Sequence, residues 1–306
     1  MNKSLKIVFM GTPEFAVPML DTLYNSQHKI VGVITAPDKP AGRGMQLSES
    51  DVKKYAVSKD LNILQPEKLK NETFLEELRS LNADLFVVVA FRMLPVVVWD
   101  MPPLGTINLH ASLLPNYRGA APINWAVING EKETGVTTFK LQHEIDTGEI
   151  ILRDKVVIRE DETVGELYHE LMDIGKVVLL KTVDAIASGD YPLIQQDHIT
   201  DIKHAPKIFK ETCKIDWSRD AASIYNHIRG LSPYPAAWTT LQGKTLKIYT
   251  SEKIIQQHDK TTGEVETDGK TFLRFTCADG YISLKDIQLE GKKRMGIEEF
   301  LRGYKA

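Results

Sequence analysis

Cysteine is nearly missing from this chain of 306 residues: Cys213 and Cys277 are the only two. A pair so far apart offers neither a disulfide framework nor a zinc-ligand spacing, and two reduced thiols are expected. No apolar run approaches the length of a membrane span. The opening residues, MNKSLKIVFMGTPEF, hold too short an apolar stretch for a secretory signal. A cytoplasmic protein without a membrane partner is therefore expected. Internal repeats and low-complexity tracts are also lacking. The segment Gly11-Thr12-Pro13-Glu14-Phe15-Ala16 supplies the first glycine of the dinucleotide fingerprint G-x-G-x-x-G but not the second. That second glycine is the one that lets the backbone approach a pyrophosphate. Gly11 is read as a tight strand-to-helix turn, and NAD is not expected. His143 and Asp146, spaced H-x-x-D, make a poor metal site by themselves, and no metal is expected.

Charge of one sign is not in large excess either, since the formal net charge is −3. It is unevenly spread: residues 207–306 carry 17 Lys and Arg against 13 Asp and Glu, whereas the preceding residues carry 21 against 28. A basic tail piece on an acidic body hints at a polyanionic partner for the tail.

Apolar residues make up 42% of the chain and are arranged in an ordered alternation. Leu5 to Met10 and Ile30 to Thr35 read as buried strands, followed by a helix over Ser50 to Lys59, a strand near Leu61 to Leu64, a helix over Glu72 to Leu81 and the apolar run Asp84 to Ala90. Strands apolar on both faces and alternating with helices predict a parallel sheet covered on both sides. Between them, Ala36 to Gly44 has two prolines and two glycines and is expected to lack regular structure, leaving Lys39 and Arg43 on a mobile basic loop. Thr163 and Glu166 form a T-x-x-E capping box for a helix that ends near Ser188. Residues 190–206 read as a linker. Beyond it, several short strands separated by Gly, Asp and Lys turns predict a small barrel.

The chain is organised around Gly105 to Ile151. Thr106 to His110 is a short buried strand, so Asn108 and His110 project from one face. A punctuated loop, Ser112-Leu113-Leu114-Pro115-Asn116-Tyr117-Arg118-Gly119, follows, then a helix over Ala120 to Asn129 and a strand over Val136 to Leu141. That strand empties into the acidic loop Gln142 to Gly148, and strand ends are where open α/β sheets place their chemistry. An amide suits a developing oxyanion. An imidazole suits proton movement near neutrality, and Asp146 would fix its tautomer and favour the imidazolium. Spacing alone leaves two readings open: a satisfied polar pair within a sheet, or the parts of an acyl transfer without a covalent nucleophile. Ser112 lacks the G-x-S-x-G elbow of a serine nucleophile.

NLHASLLPNYRGAAPINWAVINGE followed by IDTGEII resembles the signature region of the folate-dependent formyltransferases, combining N-x-H, S-L-L-P, R-G-x-x-P and D-T-G in that order. FMGTPEFAVPML, TAPDKPAGRG and IDWSRDAASIYNHIRGLSPYPAAWT extend the resemblance over nearly the whole chain, toward the branch that acts on methionyl-tRNA. The resemblance implies a Rossmann-like, doubly wound, mostly parallel N-terminal domain at 1–189 and an OB-like, tRNA-binding barrel at 207–306. It implies formyl transfer from 10-formyltetrahydrofolate to the α-amino group of methionyl initiator tRNA by direct attack. Asn108, His110 and Asp146 would be catalytic. Ser112, Leu113, Leu114, Pro115, Phe91, Arg92, Met93, Leu94 and Gln142 would line the folate pocket, and Lys39 and Arg43 would meet tRNA. A monomer is the expected state. Two places depart from the family pattern: Met45 and Gln46 stand where members often carry basic residues, and Arg92 stands where many have glycine. An amino-sugar formyltransferase or a glycinamide ribonucleotide transformylase would not be expected to carry this tail domain, and a formyltetrahydrofolate hydrolase would carry a different one. A catalytically dead RNA-binding module would be expected to lack one of Asn108, His110 and Asp146.

Overall fold

The computed structural model describes residues 4–41, 46–196 and 201–304. The chain divides into two compact units, one of Met1–Arg118, Gly135–Val156 and His169–Lys203, the other of Gly119–Thr134, Val157–Tyr168 and His204–Ala306.

The first unit opens with β1 (Lys6–Gly11), α1 (Val17–Tyr24) and β2 (Lys29–Ile34), then β3 (Lys39–Ala41), β4 (Gln46–Ser48), α2 (Asp51–Ser58), β5 (Ile63–Leu64), α3 (Glu72–Ser80) and β6 (Leu85–Val89). Next along the chain come α4 (Val96–Trp99), β7 (Thr106–His110), β8 (Arg118–Gly119), α5 (Pro122–Ile128), which belongs to the second unit, β9 (Glu133–Lys140), β10 (Ile150–Val157) and α6 (Val164–Ser188), whose first turns also fall in the second unit. Seven strands form one sheet in the order β10-β9-β7-β6-β1-β2-β5. β1 lies inside it, parallel to β2 and β6, and Ile7 to Met10 are fully buried, as an all-apolar strand demands. β6 and β7 are also parallel, but β9 runs antiparallel to β7. The helices start where the sequence offers caps: Ser50 and Asn71 each accept from a backbone N–H of the first turn, Lys53 and Phe74 respectively. At Gly11 an added Cβ would sit 2.8 Å from the Ala16 Cβ and 3.0 Å from the Val89 carbonyl oxygen. Close strand–helix packing therefore requires this glycine.

Three features differ from what the sequence led one to expect. Lys39–Ala41 and Gln46–Ser48 pair antiparallel, although irregular chain was expected there. A two-stranded ribbon is all edge, so Pro40 costs it little. Val96–Trp99 forms a short helix after Pro95, too brief to leave a periodic signal. Residues read as the start of a linker are built into the first unit: Ile150 and Ile194 exchange backbone hydrogen bonds at 2.8 and 2.9 Å.

The second unit contains β11 (His204–Ala205), α7 (Ala221–Arg229), β12 (Ala237–Leu241), β13 (Lys244–Ile255), β14 (Val265–Thr267), β15 (Leu273–Cys277), β16 (Gly280–Leu289), β17 (Met295–Gly296) and α8 (Ile297–Leu301). β12, β13, β16, β15 and β14 neighbour one another in that order, with β17 on β16, and the antiparallel arrangement is OB-like. Gln242 and Gly243, at φ 47° and 75°, make the two-residue turn between β12 and β13. Ile224, Ile228, Ile248, Phe275, Ile282 and Phe300 belong to the core of this unit, which also buries Cys213 and Cys277 as free thiols.

Candidate active site

β7 presents Asn108 and His110 from one face, as a period of two requires. Asn108 lies between Val88 of β6 and Phe139 of β9, and His110 is opposite Thr137. The loop that follows is held down at several points. The Ser112 hydroxyl donates to the Asn116 carbonyl at 2.7 Å. Thr137 accepts from the Leu114 N–H at 3.3 Å and donates to the Ser112 carbonyl at 2.7 Å, which ties the loop to β9. Leu114 packs with Phe139 and Ile150. These bonds place the Tyr117 carbonyl 2.8 Å from His110 Nε2.

A carbonyl can only accept, so Nε2 is the donor to Tyr117, and in the neutral ring the lone pair belongs to Nδ1. Nδ1 faces Asp146 Oδ2 across 3.8 Å, a gap too wide for a hydrogen bond but within reach of charge. Both side chains are largely buried, at 8% and 12% exposure, where such a charge acts through little water. The Tyr117 carbonyl thus holds the Nε2 side of the ring, and the Asp146 carboxylate lies on the Nδ1 side.

Asp146 reaches this position by a route that the sequence does not reveal. β9 runs against β7, so its end at Lys140 lies level with Ile107, not with His110. The loop 142–148 has to fold back to bring Asp146 to the imidazole. Gly148 makes the return possible, because an added Cβ there would fall on the Lys140 carbonyl oxygen. Asp146 itself sits at φ 56°, in the left-handed region. Ala90, directly after β6, and Tyr117 share that conformation at φ 48° and 60°. Backbone held in such sparsely used conformations clusters at functional sites.

The remaining expected residues fall into distinct groups. Ser112, Leu114 and Pro115 are buried in the held loop, and Leu113 is half-buried. Phe91 is half-buried against the core, Leu94 is buried, and Met93 is 72% exposed. The Arg92 guanidinium lies over the Phe91 ring and donates to the Pro66 and Glu67 carbonyls. It anchors the chain after β5, and its burial there lowers the guanidinium pKa. Gln142 is exposed and donates to the Thr147 hydroxyl at 2.9 Å. Lys39 is exposed on the β3–β4 hairpin, and Arg43 lies outside the described residues. The hairpin is rooted at Asp38, which pairs with Lys53 and accepts from Gln65 at 2.9 Å. The Lys53 and Gln65 hydrogen bonds hold the Asp38 carboxyl below its ordinary pKa. Among the described residues no group of three or more His, Cys, Asp or Glu is placed to hold a metal ion, and no helix is long and apolar enough to cross a membrane.

Two contributors escaped the sequence reading. Thr137 carries no motif and is found only through strand register. Gln196 lies in the presumed linker, yet its side chain joins the 142–148 loop to Arg118.

Asn108 Oδ1 is buried and has no hydrogen-bond partner among the described residues. Buried polar atoms are nearly always paired, so an unpaired one on the same strand face as His110 is free to meet a ligand group. The amide turned over offers its NH₂ donors at the same spot.

A family model described as formyl transferase matches residues 5–183, and one for the formyl transferase C-terminal domain matches residues 207–305. The methionyl-tRNA formyltransferase of Bacteroides thetaiotaomicron is 53% identical over 312 aligned positions, covering 99% of this chain and 97% of that protein. That of Phocaeicola vulgatus is 56% identical over 314, covering 99% and 97%. Among solved structures, an N-formyltransferase from Helicobacter canadensis, in complex with folinic acid and dTDP-3-aminofucose, superposes with a TM-score of 0.68 at 22% identity, covering 92% of this chain and 98% of that one. That likeness concerns the fold.

Proposed function

The chain belongs to the formyl transferase family, and on that premise we propose that it moves the formyl group of 10-formyltetrahydrofolate to the α-amino group of methionyl initiator tRNA, yielding N-formylmethionyl-tRNA for translation initiation. The observation that carries this reading is the convergence of Asn108, His110 and Asp146, with His110 Nδ1 3.8 Å from the Asp146 carboxylate, in a chain more than half identical to methionyl-tRNA formyltransferases over nearly all of its length.

The folate supplies a formyl group on nitrogen, already activated for attack by an amine. Asn108 donates to the formyl oxygen as negative charge develops there, in direct attack through a tetrahedral intermediate. His110 Nδ1 takes the proton that the attacking amine must lose and returns it to the departing nitrogen. Asp146 stabilises the imidazolium formed between those two steps. The unpaired Asn108 Oδ1, or the NH₂ in its place with the amide turned over, fits such a ligand. Backbone at Phe91 to Leu94, the Ser112 to Pro115 loop and Gln142 hold the folate. Lys39 and Arg43 meet the acceptor end of the tRNA, and the OB-like unit binds the rest of it. The catalytic domain spans 1–189 and the tRNA-binding domain 207–306. The protein works as a cytoplasmic monomer, and transfer from an activated amide to an amine calls for neither a metal nor NAD.

The deciding experiment offers 10-formyltetrahydrofolate with purified methionyl initiator tRNA or methionyl elongator tRNA. Formylation of the initiator with little of the elongator is expected. Folate turnover without a formylated tRNA would overturn the proposal and assign the chemistry to another amine or to water.

A further inference from the structure

We infer that Gln196 is a positioning residue for the transfer reaction, fixing the backbone from which Asp146 faces His110. The inference rests on the proposed formyl transfer and concerns a residue outside every motif noted above. Its side chain is nine-tenths buried, at 8% residue exposure, in a segment that lies along the return of the 142–148 loop. Nε2 donates to the carbonyl of Asp146 itself at 2.9 Å and to that of Gly148 at 2.8 Å. Oε1 accepts from Arg118 Nε at 3.2 Å and from its terminal nitrogen at 2.6 Å. Only one orientation of the amide satisfies this setting, because carbonyls face one end and a guanidinium the other. Both N–H groups and the oxygen are therefore engaged.

Asp146 needs such a holder for two reasons. The loop reverses direction to reach His110, and residues 142–145 are exposed, with His143 set edge-on to the Trp99 ring. Asp146 also adopts φ 56°, a left-handed conformation that costs an L-residue energy and gains from a holder, although aspartate tolerates it better than most. A hydrogen bond to its own carbonyl fixes the peptide plane on which the side chain is mounted. The Gly148 bond fixes the far end of the D-T-G turn. Through Arg118, the same amide reaches the residue next to Tyr117, whose carbonyl orients the imidazole. One side chain thus ties together the two loops that meet at His110. Neighbouring bonds keep Gln196 itself in place: Ile194 pairs with Ile150, and the Gln195 amide donates to Glu149 at 2.6 Å.

Two substitutions separate positioning from general support. Gln196→Met keeps the volume and removes every bond; Gln196→Glu keeps an acceptor for Arg118 and loses both donations to the loop. Each is assayed in the full chain by single-turnover formyl transfer to methionyl initiator tRNA at saturating folate, alone and combined with Asp146→Ala, with thermal melting as a fold control. Both should slow the transfer step by tenfold to about 10²-fold, the scale of a misplacement near 1 Å. KM for folate and tRNA should stay within about threefold, and in the Asp146→Ala background the further loss should be under about twofold, since groups acting through one another are not additive. A transfer rate within twofold of the unsubstituted protein, a loss confined to KM, an equal loss without Asp146, or failure of both variants to fold would each overturn the inference. An unsubstituted protein that formylates no tRNA would instead reject the reaction on which it rests.

Discussion

The loop Ser112 to Arg118 and the paired strands Lys39–Ala41 and Gln46–Ser48 both follow strands of the same sheet, yet they are held in different ways. The first is bound at nearly every turn: Ser112 to Asn116, Thr137 to both Ser112 and Leu114, Tyr117 to His110. Tyr117 is 5% exposed and Ser112 fully buried. The second is fastened at its root by Asp38, Lys53 and Gln65, and beyond that root Lys39 is exposed and Leu47 is 69% exposed. A group that must meet a developing charge within a few tenths of an ångström needs its backbone fixed beforehand. A surface that meets a large flexible partner needs reach and loses little by moving. Under the proposed function, the difference between the two is a division between chemistry and recognition.

That division is sharpest at Asp146. Asp146→Ala removes the charge beside His110 Nδ1 and should lower turnover by about 10²–10⁴-fold while the protein melts as before, measured by steady-state formylation and thermal unfolding. A loss under tenfold would mean that the imidazole works without its carboxylate. Thr137→Val probes the held loop at one remove from the chemistry. It strips the hydroxyl that serves Ser112 and Leu114 and should cost about 1–3 kcal/mol of stability, read from urea unfolding followed in the first unit. An unchanged midpoint would show that the loop is held by packing alone. Lys39→Ala belongs to the recognition side and should have the smallest effect. Transfer at saturating tRNA should be unchanged, affinity for tRNA should fall a few-fold, and the slope of log affinity against log salt should flatten by about 1. A slower transfer step at saturation would erase the division.

Local patterns carried much of this structure into view from the sequence. Asn108 and His110 share a face because the strand period is two, and the strand they occupy spans the expected residues. The T-x-x-E box is present as two reciprocal bonds, Thr163 N–H to Glu166 at 2.8 Å and Glu166 N–H to the Thr163 hydroxyl at 3.3 Å. What stayed hidden depends on pairing between distant segments. A strand running parallel to β7 would have delivered its loop directly to His110. The antiparallel β9 delivers it to the other end, and the fold-back at Gly148 makes up the distance. Gln196 was invisible for the same reason: its meaning comes from the carbonyls of Asp146 and Gly148, some fifty residues earlier. Arg92, a departure from the family pattern, is explained by the Pro66 and Glu67 carbonyls that it holds.

The account stands most directly on the half-buried Asn108, whose amide is proposed to meet the formyl oxygen. Single-turnover formyl transfer to methionyl initiator tRNA, with folate and tRNA both saturating, isolates that contact in the Asn108→Ala protein. The transfer step should slow by about 10²–10³-fold with both substrates still bound as tightly, the loss expected when one oxyanion donor is removed. A transfer step within threefold of the unsubstituted protein would contradict the assignment of Asn108 and, with it, the mechanism built on β7.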